Sequence, residues 1–191
     1  MSTDESKKHL ETEGVLARQL RFEQAVAKVS KCLVGAQSPE RAVPEALTSL
    51  LEASQVARVY IFENFEDADD GLCMKQLYEV CAPGITPEID NPILQHVVYA
   101  DGFERWREAL ASGLNIRGYI SNFPDDEREI LEPQGILSIL VLPIVVEGKW
   151  WGFVGFDETR NRRNWQDSEV ALLGTTAEML GSYFSRQQVQ E

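Results

Sequence analysis

Basic residues are in short supply in this chain. Its 18 lysines and arginines stand against 31 aspartates and glutamates, a formal net charge of −13. A field of that sign repels phosphate backbones and anionic lipid headgroups, so neither nucleic acid nor membrane insertion is expected. Histidine is scarcer still, with only His9 and His96. No Ser-His-Asp set can be drawn from these two, and HExxH, GxGxxG and GxxxxGK[ST] are all absent. A phospho-acceptor histidine box and a kinase ATP-binding motif are missing too, so no catalytic residue is assigned and any effector would lie outside this sequence. Cys32, Cys73 and Cys81 form no CxxC pair and no Cys/His cluster. That excludes a disulfide framework and a zinc knuckle, and no metal ligands are assigned. Free thiols suit a reducing compartment. The longest apolar run, Ile136 to Val146, is too short for a bilayer and is interrupted by Ser138 and Pro143. Met1 to Glu13 lacks the apolar stretch of a secretory signal. A cytoplasmic location is expected.

What is present is ordinary globular material: 191 residues, 43% apolar and 26% charged. That length suits one domain with a core large enough to need no cross-links. Residues 1–12 are polar and read as a disordered tail. A helix over Glu13 to Val34 follows, with Val15, Phe22 and Val29 seven apart and Gly35 as its stop. Ser38-Pro39 announces a second helix, to about Ala53. The period then shortens to two. Val56 to Phe65 and Met74 to Cys81 read as strands around the acidic turn Glu66 to Gly71. Ala82 to Pro92, with three prolines, reads as loop, and Leu94 to Tyr99 as a helical turn. Phe103 to Ser112 and Pro124 to Leu131 are short helices, and Ile116 to Ile120 a short strand. Leu137 to Val146 and Trp150 to Asp157 form a hairpin across Glu147-Gly148-Lys149. A last helix runs from Asp167 to about Arg186, with Leu173, Ala177, Leu180 and Phe184 spaced by three and four. Strands joined by tight turns, with helices at both ends of the chain, give an α+β architecture around a central antiparallel sheet. In the last strand, strict alternation would put Trp151, Phe153, Gly155 and Asp157 on one face, and Trp150, Gly152, Val154 and Phe156 on the other. Its glycines leave room for a close approach by helices or a ligand.

From Trp106 to Trp165 the chain carries W-x3-L-x2-G, FP-x2-ER-x2-L, Gln134-Gly135-Ile136, Ser138-Ile139-Leu140 and Trp151-Gly152-Phe153-Val154-Gly155-Phe156-Asp157, in that order. This arrangement resembles GAF domains of bacterial and archaeal sensor proteins, notably sensor histidine kinases and diguanylate cyclases. The resemblance covers about residues 20–187 and implies a GAF/PAS-like fold over 13–187. The terminal helices would lie on one face of the sheet, and loops and short helices would enclose a small-molecule pocket on the other. Residues 188–191 would be a tail or the start of a connecting helix. The function implied is a non-catalytic sensory module in a two-component or related signalling protein. It would bind a small-molecule effector, form a homodimer and act on a downstream signalling domain.

Trp106, Trp150, Trp151 and Trp165 are expected to gather on the pocket side. An aromatic pocket with a few polar groups suits a planar or apolar ligand. The ligand-contacting set is taken as Tyr60, Arg105, Trp106, Tyr119, Ser138, Trp151 and Asp157. The dimer is expected through Val15, Phe22 and Val29 of the first helix and Leu173, Leu180 and Phe184 of the last. The resemblance raises specific ligands as well. No cysteine precedes a histidine where bilin-binding members carry that pair, so a covalent bilin is not expected, and only His96 speaks for haem. Asn161-Arg162, Trp165 and Asp167/Glu169 match the cyclic-nucleotide signature loosely; the plainer reading is a loop held by an arginine–carboxylate contact. Two other functions stay open. One is a ligand-free dimerisation scaffold. The other is a free methionine-(R)-sulfoxide reductase, a GAF-fold enzyme with three cysteines, against which stands the acidic run beside Cys73.

Overall fold

The computed structural model describes residues 2–190. Helix α1 (Ser2–Leu33) and helix α2 (Pro39–Ser54) lead into strands β1 (Arg58–Asp67) and β2 (Gly71–Cys81). A 3₁₀ turn at Pro92–Gln95 precedes the two-residue edge strand β3 (Val97–Val98). Helix α3 (Glu104–Ala111), strand β4 (Ile116–Tyr119) and helix α4 (Asp125–Leu131) follow. Strands β5 (Ser138–Val146) and β6 (Lys149–Glu158) and helix α5 (Asp167–Gln190) complete the fold. The strands form one antiparallel sheet in the order β3-β2-β1-β6-β5-β4, as α+β patterning predicted. None of the described helices is long and apolar enough to cross a membrane.

Both tight turns follow from local chemistry. Asp67 Oδ1 accepts the amides of Asp69 and Asp70, closing the β1–β2 turn. Glu147 and Gly148 both take positive φ, 50° and 75°, the pairing that matches the twist of a two-residue hairpin. Ser38 does precede α2, but its hydroxyl donates to Glu40 instead of capping a backbone amide.

Two cores share the sheet as a common wall. On one side Val59, Ile61, Leu140, Leu142, Ile144, Val154 and Phe156 meet α1, α2 and α5. On the other, Tyr60, Phe62, Met74, Ile139, Val141 and Phe153 meet α3, α4 and the segments around them. A buried charge also ties the helical layer together, because Glu169 accepts from both Arg18 and Arg163.

Three expectations need correction. Residues 2–12 are not a tail: they are the first turns of α1, with Asp4 and Glu5 at the positive end of the helix dipole and a Lys8–Thr12 side-chain bond. Second, Phe22, Val29, Leu173, Leu180 and Phe184 are buried in the protomer's own core, so they cannot form a dimer face. Besides the sheet, these residues pack on α2 and the neighbouring terminal helix. Of that set only Val15 is exposed. Third, β6 does not alternate strictly. Val145 pairs with Trp150 and Ile144 with Gly152, so Trp151 is an extra residue, a β-bulge. The bulge turns Trp151 to the helical side, where it stacks on Phe184 at 4.4 Å, and Trp150 to the other, against Tyr99. Trp165 also lies on the helical side, so the tryptophans do not gather as expected.

The seat of α5 generates a paired prediction. A Cβ on Gly181 would come within 2.2 Å of the Val145 carbonyl oxygen, whereas one on Gly174 would meet nothing within 4 Å. Gly181→Ala is expected to lower unfolding free energy by about 1–3 kcal/mol through overpacking. Gly174→Ala should raise it by about 0.5–1 kcal/mol, from helix propensity alone. Urea unfolding of both variants checks the opposite signs.

Candidate functional site

The sheet side opposite the terminal helices holds a narrow cavity of about 30 Å³. That is room for a water or two, against roughly 300–1,000 Å³ for a typical ligand site. Its walls are Phe62, Met74 and Phe153 from the sheet, and Leu94, Phe103, Trp106, Ile130 and Ile136 from the covering segments. The Phe62 and Phe153 rings stack at 5.0 Å, and Trp106 meets Phe153 edge-on at 5.9 Å. Tyr60, Gln76, Glu79, Gln134 and Asp157 supply its polar groups.

Register places the central pair. Tyr60 on β1 lies opposite Gly155 on β6, and Arg58 opposite Asp157. A Cβ on residue 155 would fall 2.2 Å from the Tyr60 ring. The missing side chain therefore lets that ring lie across β6, and its hydroxyl donates to Asp157 Oδ1 at 2.6 Å. The close approach expected at the β6 glycines is thus made by the protein itself. At Gly152 it is the carbonyl of Phe62 that comes near.

Arg58 is 1% exposed, and its donors point in three directions. Nε donates to Asp157 Oδ2 at 3.3 Å, Nη1 to the Thr86 carbonyl at 3.1 Å, and Nη2 to the Gln134 carbonyl at 2.8 Å. Glu88 adds an ion pair at 3.5 Å. One guanidinium thus joins both central strands to two covering segments, the 82–91 loop and the turn after α4. Glu79 holds the same loop from β2, accepting the amides of Glu88 and Ile89 at 2.8 and 3.0 Å. Burial pushes the Asp157 carboxyl up to about 6, with Arg58 and Tyr60 pulling the other way.

Of the seven residues expected at the ligand, the structure brings Tyr60, Trp106 and Asp157 to the cavity and disperses four. Arg105 grips the buried Glu127 carboxylate through Nε and Nη2, at 2.9 and 2.6 Å, which fixes α3 to α4. Trp106 Nε1 donates to the same Glu127. Ser138 Oγ accepts the Arg163 amide and anchors the loop before α5. Tyr119 lies in a separate polar groove beside Arg117 and Asp167. Trp151 faces the helices, for the reason given above. Arg58, Gln76 and Glu79 were missed. Their only trace in the sequence is a polar side chain at an inward strand position.

The cysteines stand apart from the cavity. Burial raises all three thiols, Cys81 to about 11, and the acidic Asp67, Asp70 and Glu66 raise Cys73 further. His96 is not isolated. Its Nε2 lies 2.9 Å from Asp70 and 3.7 Å from Cys73 Sγ at the β1–β2 tip. Asp67, Asp70 and His96 could together offer three ligand atoms within 4.8 Å of one another. The loop arginines behave as the plainer reading had it, with Arg117 on Asp167 and Arg163 on Glu169.

Two outcomes are expected at the clamp. Arg58→Ala should cost about 3–5 kcal/mol by stranding a buried carboxylate, and Arg58→Lys should recover less than half, because an ammonium lacks the planar fork that reaches three acceptors. Asp157 also binds its proton more tightly folded than unfolded, so its contribution to stability falls as pH rises from about 4 to about 6 and is level above. The stability of the natural chain relative to Asp157→Asn should therefore drop between pH 5 and 6 and hold to pH 7 in urea titrations. A difference that grows with pH would reverse the assigned direction.

The GAF domain family model matches residues 38–183. The chain is 35% identical over 171 residues to the methanogenesis regulatory histidine kinase FilI of Methanothrix harundinacea (strain 6Ac); the match takes in 90% of this chain and 19% of that protein, so the chain spans about a fifth of that relative's length. Among solved structures, the phycocyanobilin-bound GAF domain of a cyanobacterial phytochrome superposes with a TM-score of 0.74 at 14% identity, over 89% of this chain and 97% of that one. The blue-light-absorbing form of the Thermosynechococcus elongatus PixJ GAF domain does so with a TM-score of 0.60 at 20% identity, over 92% and 89%. Matched by that family model over residues 38–183, this protein belongs to the GAF domain family.

Proposed function

We propose that this domain is a non-catalytic sensory module that binds a small molecule in the cavity between sheet and cap and passes its occupancy to the terminal helices of a homodimer. The observation that carries this reading is the Arg58 clamp. One buried charge ties both central strands to two covering segments, beside a cavity too small for an effector unless those segments shift. A ligand that favours the shifted arrangement by about 1.4 kcal/mol changes the ratio of the two tenfold. Strand β6 faces both layers, with Phe153 and Asp157 toward the cavity and Val154 and Phe156 toward the helices. Movement at the cap therefore reaches α5 through one strand.

Chemistry at the site supports the non-enzymatic reading. The three thiols are held in their unreactive form, and none lines the cavity. A covalently attached bilin, as the phycocyanobilin-bound relative carries, does not fit here, because no described cysteine or histidine faces the cavity. The 35% identity to a regulatory histidine kinase supports a place in a signalling protein.

The dimer face is reassigned. Residues 4–20 of α1 are exposed throughout and carry Leu10, Val15, Leu16 and Leu20, each more than half exposed. A helix segment without packing is marginal in water. A second copy pairing along it would bury these side chains.

The cavity's size favours a second reading, a scaffold closed by its own aromatics. Native mass spectrometry of the purified protein distinguishes the two. A dimer carrying a small-molecule mass, lost in Ile136→Trp, is the expected result. A dimer that never carries such a mass favours the scaffold. Leu16→Glu with Leu20→Glu should yield a monomer by light scattering while moving the melting temperature little, since both residues are exposed. A monomeric natural chain would overturn the dimer.

A further inference from the structure

The cavity has a one-sided hydrogen-bonding character. Each side-chain donor group in its lining already gives one hydrogen bond. Tyr60 donates to Asp157, Gln76 Nε2 to Glu79 at 3.3 Å, Gln134 Nε2 to the Ile130 carbonyl at 2.9 Å, and Trp106 to Glu127. An acceptor, by contrast, is left with no partner at all. Gln76 is 4% exposed, and its Oε1 has no hydrogen-bond partner among the described residues. The orientation of that amide is set, because turning it over would face oxygen against the Glu79 carboxylate. A buried unpartnered carbonyl costs about 1–3 kcal/mol, a penalty that a ligand's donor would relieve.

Charge points the same way. No lysine, arginine or histidine lines the cavity, while Glu79 and Asp157 both do. Arg58 lies behind Asp157 and balances it. Glu79, by contrast, is held only by neutral donors, two backbone amides and the Gln76 amide. The rest of the wall is Phe62, Phe103, Trp106 and Phe153, whose ring faces attract cations.

We infer that the effector is a small apolar molecule ending in a positively charged N–H donor, such as a primary ammonium, seated against Gln76 Oε1 and the carboxylates of Glu79 and Asp157. This rests on the reading of the cavity as a ligand site. Anionic effectors are excluded by the same geometry. A carboxylate or phosphate would meet two like charges with no lysine, arginine or histidine in the lining to offset them, which sets aside cyclic nucleotides.

The test compares three probes that share an isobutyl body: isoamylamine, isovalerate and methyl isobutyl ketone. Each is titrated into the full chain at pH 7.5 in 0.3 M salt, with melting temperature and tryptophan fluorescence as readouts. Isoamylamine should bind and raise the melting temperature, and the other two should not. Gln76→Leu should weaken amine binding at least tenfold while its unliganded melting temperature is not lowered. Should Gln76→Leu unfold, Gln76→Met serves in its place. Equal binding of isovalerate or the ketone would overturn the inference while leaving a ligand-binding cavity in place. Amine binding untouched by the Gln76 variants would overturn it as attraction to the acidic surface. No response to any probe, together with native mass spectra free of small molecules, would overturn both the inference and the sensory reading.

Discussion

A guanidinium is among the most expensive groups to take out of water, and Arg58 is taken out almost completely. Such a charge is tolerated only when its donors are matched, and here each match lies on a different piece of the fold. Asp157 comes from the neighbouring central strand, Thr86 and Glu88 from one covering loop, and Gln134 from the turn after α4. The cap can therefore close on the sheet in few other ways without leaving a buried charge unmatched. The residual polarity of the cavity follows from this, because Arg58 and Tyr60 each take one oxygen of Asp157, while Gln76 Oε1 keeps no partner.

The sheet divides two environments of different character. The helical side is lined mainly by aliphatic and aromatic side chains, with Glu169 held by Arg18 and Arg163 near the start of α5. The cap side mixes rings with buried acids, and Glu127 binds α3 to α4 there much as Arg58 binds the cap to the sheet. Interactions of the second kind are directional and few, so they admit only discrete arrangements. Apolar packing on the helical side has no such discrete alternatives.

Periodicity and turn chemistry made most of the fold legible. The hairpins announced themselves through EDADDG and Glu147-Gly148, and the helices through their stripes and stops. Two kinds of information were hidden. A bulge leaves no mark on composition, so Trp151 read as facing the pocket when one extra residue turns it the other way. Burial within the protomer and burial between protomers draw on the same residues, so Phe22 and Leu180 read as a dimer face while filling the monomer's core. At the site, Tyr60 and Asp157 were legible as polar groups on strands flanking the pocket side, and Trp106 as the apolar face of a short helix. Arg105 was misread because only coordinates reveal that Glu127 already holds it. Arg58 escaped notice because a lone arginine at the start of a strand looks like an ordinary surface residue.

The extra residue in β6 also governs how this strand tolerates change in length. An amino-acid exchange at position 151 alters one contact on the helical side. Excision of that residue instead joins Trp150 directly to Gly152, whose partners Val145 and Ile144 are already consecutive, so Trp150 keeps its side against Tyr99 and only the stacking on Phe184 is lost. The bulge thus absorbs the loss of one residue, whereas a deletion between positions 152 and 157, where pairing is unbroken, would turn the residues on one side of the gap to the opposite face.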